Sequence, residues 1–273
     1  MTLQNYLKRV LPKTIQKEIE IELHALGSHA VGKILHLGNE SEAQPPKLVS
    51  FDPWGRRIDD IEVSRAWKDL GKISAEEKLV AIAYERRHGE FSRIHQFAKI
   101  YLFNPSSAVY SCPLAMTDGA ARAIELFGST ELKDRAFSRL TSSDPQEFWT
   151  SGQWMTEKTG GSDVSQTSTV AKLKDGKFFL YGDKWFTSAT TSQMAITLAR
   201  IEGAPQGAKG LSMFYVELRD ASGNLNNIRV HRLKEKLGLK RSRRNIRLMA
   251  CGRCTGSFSG LTTRESTASA SPG

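Results

Sequence analysis

The stretch Lys172-Leu173-Lys174-Asp175-Gly176-Lys177-Phe178-Phe179-Leu180-Tyr181 decides how the second half of the chain folds. Asp-Gly accepts positive φ at both central positions of a two-residue type I′ turn, and Leu, Phe and Tyr on either side suit a pleated surface. The spacing predicts an antiparallel hairpin turning at Asp175-Gly176. Outward from it, residues 168–173, 194–201 and 211–218 are rich in Val, Thr, Phe, Tyr and Ile and are separated by glycine-containing turns. That pattern is a run of strands.

Upstream of Pro145 the period changes. Ser74 followed by Glu77 and the apolar Leu79, Val80, Ile82 and Ala83 reads as a capping box opening a helix over 74–87. Asp118 is placed to cap a second helix that Gly128 ends, and 131–140 reads as a third. The segment around His95 reads as helix surface, and 45–55, with Pro45, Pro46 and Pro53, as a connecting loop. Helices followed by strands, without alternation, imply an α+β chain. The boundaries are an N-terminal all-α helical domain over 1–146, a β-barrel-like domain over 147–239 and a basic tail over 240–273.

The 273 residues carry 39 Lys and Arg against 29 Asp and Glu, a net charge of +10. From Lys240 onward there are seven basic residues and one acidic one, so more than half of that charge lies in the last 34 positions. This segment ends in a Ser/Thr/Ala-rich run with little to bury, and reads as disordered. Nucleic-acid binding by the arginine cluster is therefore a weak expectation. Three cysteines make no disulfide framework, and Cys251 and Cys254 lack the second ligand pair that a zinc site requires, so no metal is expected. No apolar run is long enough to span a membrane. Glu18, Glu20 and Glu22 argue against a secretory or transit leader. A cytoplasmic location is expected, with peroxisome and mitochondrion left open.

Chemistry concentrates in two segments. Gln153-Trp154-Met155-Thr156-Glu157-Lys158-Thr159-Gly160-Gly161-Ser162-Asp163 places two glycines among hydroxyls and charges, where backbone closely approaches a ligand and N–H groups face anionic oxygens. In Lys184-Trp185-Phe186-Thr187-Ser188, Trp185 and Thr187 lie two residues apart, so a regular strand would present an indole and a hydroxyl on one face.

Together with Pro113-Leu114-Ala115-Met116-Thr117-Asp118-Gly119-Ala120-Ala121-Arg122, these segments occur in the order found in the acyl-CoA dehydrogenase family, which the chain resembles over about 70–239. Glu157-Lys158, in place of the commoner Glu-Pro, is most similar to the subgroup of bacterial DNA-alkylation-response flavoproteins and their fungal relatives. The resemblance implies FAD as cofactor and an acyl-CoA thioester as substrate, dehydrogenated between Cα and Cβ, with a specialised biosynthetic pathway as the setting. It implies that Met155 and Thr156 contact the flavin ring and that Gly161 is among the cofactor-binding residues. Ser162 lies at the pyrophosphate and acyl-thioester end, Trp185 packs on the isoalloxazine, and Thr187 bonds near its N5. Ser188 stands where many members have Asn.

The family's carboxylate base lies in a C-terminal helical domain. Here the family pattern stops at Leu239-Lys240, which reads as a truncation, with a change of reading frame as the proposed cause. The catalytic residue is therefore left unassigned. Homo-oligomerisation or docking on a full-length relative is expected. A catalytically inactive flavin- or partner-binding remnant and a DNA-binding flavoprotein are the alternative functions.

Overall fold

A computed structural model describes residues 2–233 and the backbone of 244–249. The first 140 residues are mainly helical: α1 (Thr2–Val10), α2 (Lys13–His29), α3 (Leu35–Ala43), α4 (Arg65–Glu76), α5 (Ile82–Glu85), α6 (Ser92–Phe103), α7 (Ser111–Phe127), α8 (Thr130–Leu132) and α9 (Ser138–Leu140). α2 runs through a single π turn, Ala30–Ile34, into α3. Its apolar residues Ile19, Leu23, Leu26, Ala30 and Ile34 recur every three or four positions, so one stripe faces inward and is buried. Among the described residues no helix is long and apolar enough to cross a membrane.

Two helix starts differ from the sequence reading. Ser64 is the N-cap of α4, accepting from the Trp67 N–H at 3.1 Å. Ser74 lies inside α4, buried, and donates to the Leu70 carbonyl at 2.7 Å. Serine in a helix interior can satisfy itself on the preceding turn, so a Ser-x-x-Glu pattern does not by itself mark an end. Lys78, at φ 55°, breaks the chain between α4 and α5 instead. Likewise Asp118 sits in the middle of α7, while Gly128 does end that helix. The stretch 45–55 contains β1 (Lys47–Phe51), which pairs antiparallel with β2 (Arg57–Glu62).

The second half is a curled mixed sheet, the barrel-like architecture expected: β3 (Ser151–Trp154), β4 (Val170–Lys174), β5 (Lys177–Thr187), β6 (Met194–Ile201), β7 (Leu211–Glu217), β8 (Ile228–Leu233) and β9 (Arg244–Met249). Strand order is β3-β6-β4-β5-β9-β8, with β7 beside β6. The β4–β5 hairpin turns at Asp175 and Gly176, with φ 50° and 72°, and pairs Lys174 with Lys177 as predicted. β9 was expected to fall in the unstructured tail; its backbone instead lies between β5 and β8. The Cys251/Cys254 pair and the residues around the expected frame change lie outside the described residues.

One hydrophobic cluster is shared by the two halves. Ala120, Ala121 and Ile124 of α7 and Leu132, Ala136 and Leu140 of the next helical segments pack with Met194 and Ile196 of β6 and Tyr215 of β7. At the far side, β2 meets the outer edge of β8 through side chains. Asp59 Oδ2 accepts the Val230 N–H at 3.0 Å, Arg57 Nη2 donates to the Val230 carbonyl at 3.2 Å, and Arg57 Nε donates to Asp59 at 2.9 Å.

Candidate functional site

β3 delivers the chain to the site. Its last residue, Trp154, is buried and donates through Nε1 to the Ser188 carbonyl at 3.0 Å, tying β3 to the segment after β5. The ring also fixes Gly152, where a Cβ would come within 2.6 Å of Nε1. Ser151 N–H donates to Thr117 Oγ1 at 3.0 Å, which joins β3 to the Pro113–Arg122 segment of α7. Asp118 of that segment accepts from Tyr84 and Arg93 rather than capping a helix. The first of the three family-like segments thus docks the helical half on the sheet.

Beyond Trp154 the chain leaves the sheet at Met155 and Thr156. It then turns tightly, with Glu157 and Gly160 exchanging both backbone hydrogen bonds at 3.2 Å. Asp163 closes the loop by accepting from Ser165 N–H at 2.9 Å and Ser165 Oγ at 2.8 Å. Neither Gly160 nor Gly161 has a positive φ. Gly161 is required by close approach: a Cβ there would sit 2.9 Å from Thr156 Cγ2. Trp185 N–H donates to the Thr156 carbonyl at 2.8 Å. Thr156, Gly161 and Trp185 are therefore brought together. Met155 packs from the partly buried side against the cluster of Ala120, Ile124, Met194 and Tyr215. Ser162 lies exposed on the loop, and Thr187 is buried at the end of β5.

The alternation expected for Trp185 and Thr187 is interrupted. Phe186 has φ 55°, a left-handed conformation that costs a bulky residue about 1–3 kcal/mol. Pairing with β9 shifts register between Lys184 and Thr187. As a result Lys184 and Thr187 are both buried while Trp185 is half-buried.

Two residues that the sequence reading quoted without assigning a role organise the region. Lys184 Nζ donates to Glu157 Oε1 at 2.8 Å, with both side chains almost fully inaccessible. Glu157 also accepts from Ser168 N–H and Oγ at 2.7 and 2.6 Å, and from Thr169 N–H and Oγ1 at 3.1 and 2.5 Å. Burial pushes the Glu157 carboxyl up, but Lys184 and the Ser168 and Thr169 donors outweigh it and hold it at about 2. Burial draws the Lys184 ammonium below its ordinary value, with Glu157 opposing. The available signal was position: each is the charged residue directly adjoining a flavin-contact candidate, Thr156 or Trp185. A cavity of about 550 Å³ opens beside them, lined in part by Lys158, Asp183, Trp185, His231 and Arg232. No cluster of metal-ligating side chains occurs among the described residues.

A helical layer docked through α7 on a curled mixed sheet, with a glycine loop locked to the strand that bears a half-buried tryptophan, defines a class: the N-terminal and middle parts of the acyl-CoA dehydrogenase fold. Residues 152–249 match the acyl-CoA dehydrogenase middle domain, and residues 1–144 match the N-terminal domain of the adaptive response protein AidB. The chain belongs to the acyl-CoA dehydrogenase family. It is 44% identical to acyl-CoA dehydrogenase family member 11 of Caenorhabditis elegans over 249 residues, covering 87% of this chain and 40% of that protein. Among solved structures, Bd2924 in its apo form superposes with a TM-score of 0.88 at 54% identity, over 91% of this chain and 51% of that one. Caenorhabditis elegans ACDH-11 in complex with C11-CoA does so with a TM-score of 0.88 at 41% identity, over 95% of this chain and 46% of that one. The chain thus spans about half the length of these relatives, or less.

Proposed function

We propose that this chain carries the flavin-facing part of an FAD-dependent acyl-CoA dehydrogenase acting on the Cα–Cβ bond of an acyl-CoA thioester. The observation that carries the reading is the 2.8 Å hydrogen bond from Trp185 N–H to the Thr156 carbonyl, which holds Trp185 beside a threonine that Gly161 approaches closely. The donor set fits a flavin. A half-buried indole offers a flat apolar wall, Thr156 and Thr187 supply hydroxyls close by in the fold, and the missing side chain at Gly161 keeps the loop tight on Thr156.

Bound here, FAD would supply the acceptor for the hydride leaving Cβ. Met155, Thr156, Gly161, Trp185 and Thr187 would hold it, and exposed Ser162 would reach the pyrophosphate or the thioester. Trp185 would exclude water from the reacting carbons, and fixed hydroxyls would face the charge that develops on the ring. Removal of the Cα proton requires a carboxylate base. By the family resemblance that base belongs to a C-terminal helical domain, and none of the residues above is assigned the role. The acyl-CoA substrate class is supported by the C11-CoA complex of the 41% identical relative.

The test is the visible spectrum of the purified chain supplemented with FAD, followed by anaerobic addition of a medium-chain acyl-CoA. Retention of yellow flavin is the expected result, and bleaching on addition of the thioester supports catalysis by this chain with a base of its own. Bound flavin that stays oxidised supports a binding remnant without turnover, and failure to retain flavin overturns the site.

A further inference from the structure

Four observations meet at one place in the sheet. β5 is broken at Phe186, a phenylalanine in the left-handed region. Directly before the break, Lys184 is buried and carries a charge. Its partner Glu157 is buried too, and receives five hydrogen bonds from three residues on two segments: Ser168 and Thr169 just before β4, and Lys184 in β5. Directly before Glu157 stands Thr156, whose carbonyl takes the Trp185 N–H.

A strained phenylalanine persists only where its surroundings over-determine it. Without an anchor, β5 would regain strict alternation, Lys184 and Phe186 would share one face, and Trp185 and Thr187 the other. The buried ion pair supplies that anchor, because moving the Lys184 ammonium outward leaves the buried Glu157 carboxylate without its counter-charge, while the Ser168 and Thr169 donors hold that carboxylate in place. Net stability is a poor reason for such a pair, since burying two charges costs about what their attraction returns. Geometry is the better one.

We infer that the Glu157–Lys184 pair is a positioning device: it fixes the break in β5 and so sets the face on which Trp185 is displayed beside Thr156. Neither residue is given contact with a ligand; both act through Trp185. The flavin consequence of this inference rests on the function proposed above, whereas the displacement of Trp185 does not.

The experiment compares the full chain with Lys184→Met, which keeps side-chain length and removes the charge. Two quantities are read: hydrogen exchange of the Trp185 amide, and FAD affinity from quenching of flavin fluorescence. Lys184→Met is expected to speed Trp185 exchange about tenfold or more and to weaken FAD binding by a similar factor, with far-ultraviolet circular dichroism unchanged. Lys184→Gln, which restores a donor, should recover part of both. Unchanged Trp185 exchange in Lys184→Met overturns the inference. If the wild-type chain binds no FAD, the flavin reading falls and the exchange comparison still decides the positioning role. Should Lys184→Met fail to fold, Thr169→Val removes one donor from Glu157 and leaves the ion pair; faster Trp185 exchange supports the inference and unchanged exchange overturns it.

Discussion

The helical half and the sheet each bury a charged cluster, built from similar residues to opposite effect. In the sheet, Glu157 has a partner for each oxygen and Lys184 has its carboxylate, so the cluster is closed. In the helices, Lys99 of α6 is buried and lies 2.8 Å from Glu77 and 3.8 Å from Glu22. His95, 2% exposed and 3.3 Å from Glu22, leaves its Nε2 without a hydrogen bond, and a cavity of about 230 Å³ runs beside His88, His95 and Lys99. A saturated cluster fixes geometry, and an unsaturated one is left responsive to protonation.

The largest effect is expected from Glu157→Ala, which leaves a buried ammonium and four further donors without their acceptor. Loss of one partner of a buried pair costs about 3–5 kcal/mol, and the urea midpoint should fall accordingly. Glu77→Ala is the matching cut in the helical cluster. Lys99 keeps Glu22 in reach, so the loss should be about 1.5–3 kcal/mol in the same titration. Equal losses at the two sites would break the contrast.

Protonation separates them further. Burial lowers His95 to about 4, against the attraction of Glu22, so the folded state keeps it neutral where the unfolded chain binds a proton. Stability should drop as pH falls from the ordinary histidine value of 6.5 toward 4, and His95→Gln should flatten that slope in thermal melts. The Glu157 contribution is present above its ordinary 4.5 and is lost as pH falls toward 2, so the two windows are read separately. The smallest effect belongs to Lys172–Glu202, an exposed pair at 2.7 Å. Lys172→Ala should leave the thermal midpoint nearly unchanged, bounding what the same chemistry contributes in water.

What the sequence disclosed follows the range of the interactions involved. The β4–β5 turn was legible because Asp175 and Gly176 settle it between themselves, and β6 runs over the 194–201 stretch marked by its apolar pattern. Ser74 misled because α4 had already started at Ser64, and an interior serine bonds to its own helix. His95 was read as surface because α2, which covers it, lies more than sixty residues upstream. The faces of Trp185 and Thr187 depend on an anchor 27 residues from Lys184, which no local alternation encodes. β9 was hidden by its arginines and because one of its two partners, β5, is not the strand next to it in sequence. Of the site, the segments that approach one another were legible; the ionic lock between them was visible as letters and not as a contact.

The contact of Arg57 and Asp59 with Val230 bears on assembly. A strand at the end of a sheet offers alternating N–H and C=O groups to any extended chain that drifts past. At Val230 both groups are already engaged, one by a carboxylate and one by a guanidinium that also bind each other. Two side chains from the hairpin therefore stand in for a rung of backbone ladder. They cap the outer border of β8 at its middle, and a would-be neighbouring strand meets a filled position where it needs an empty one.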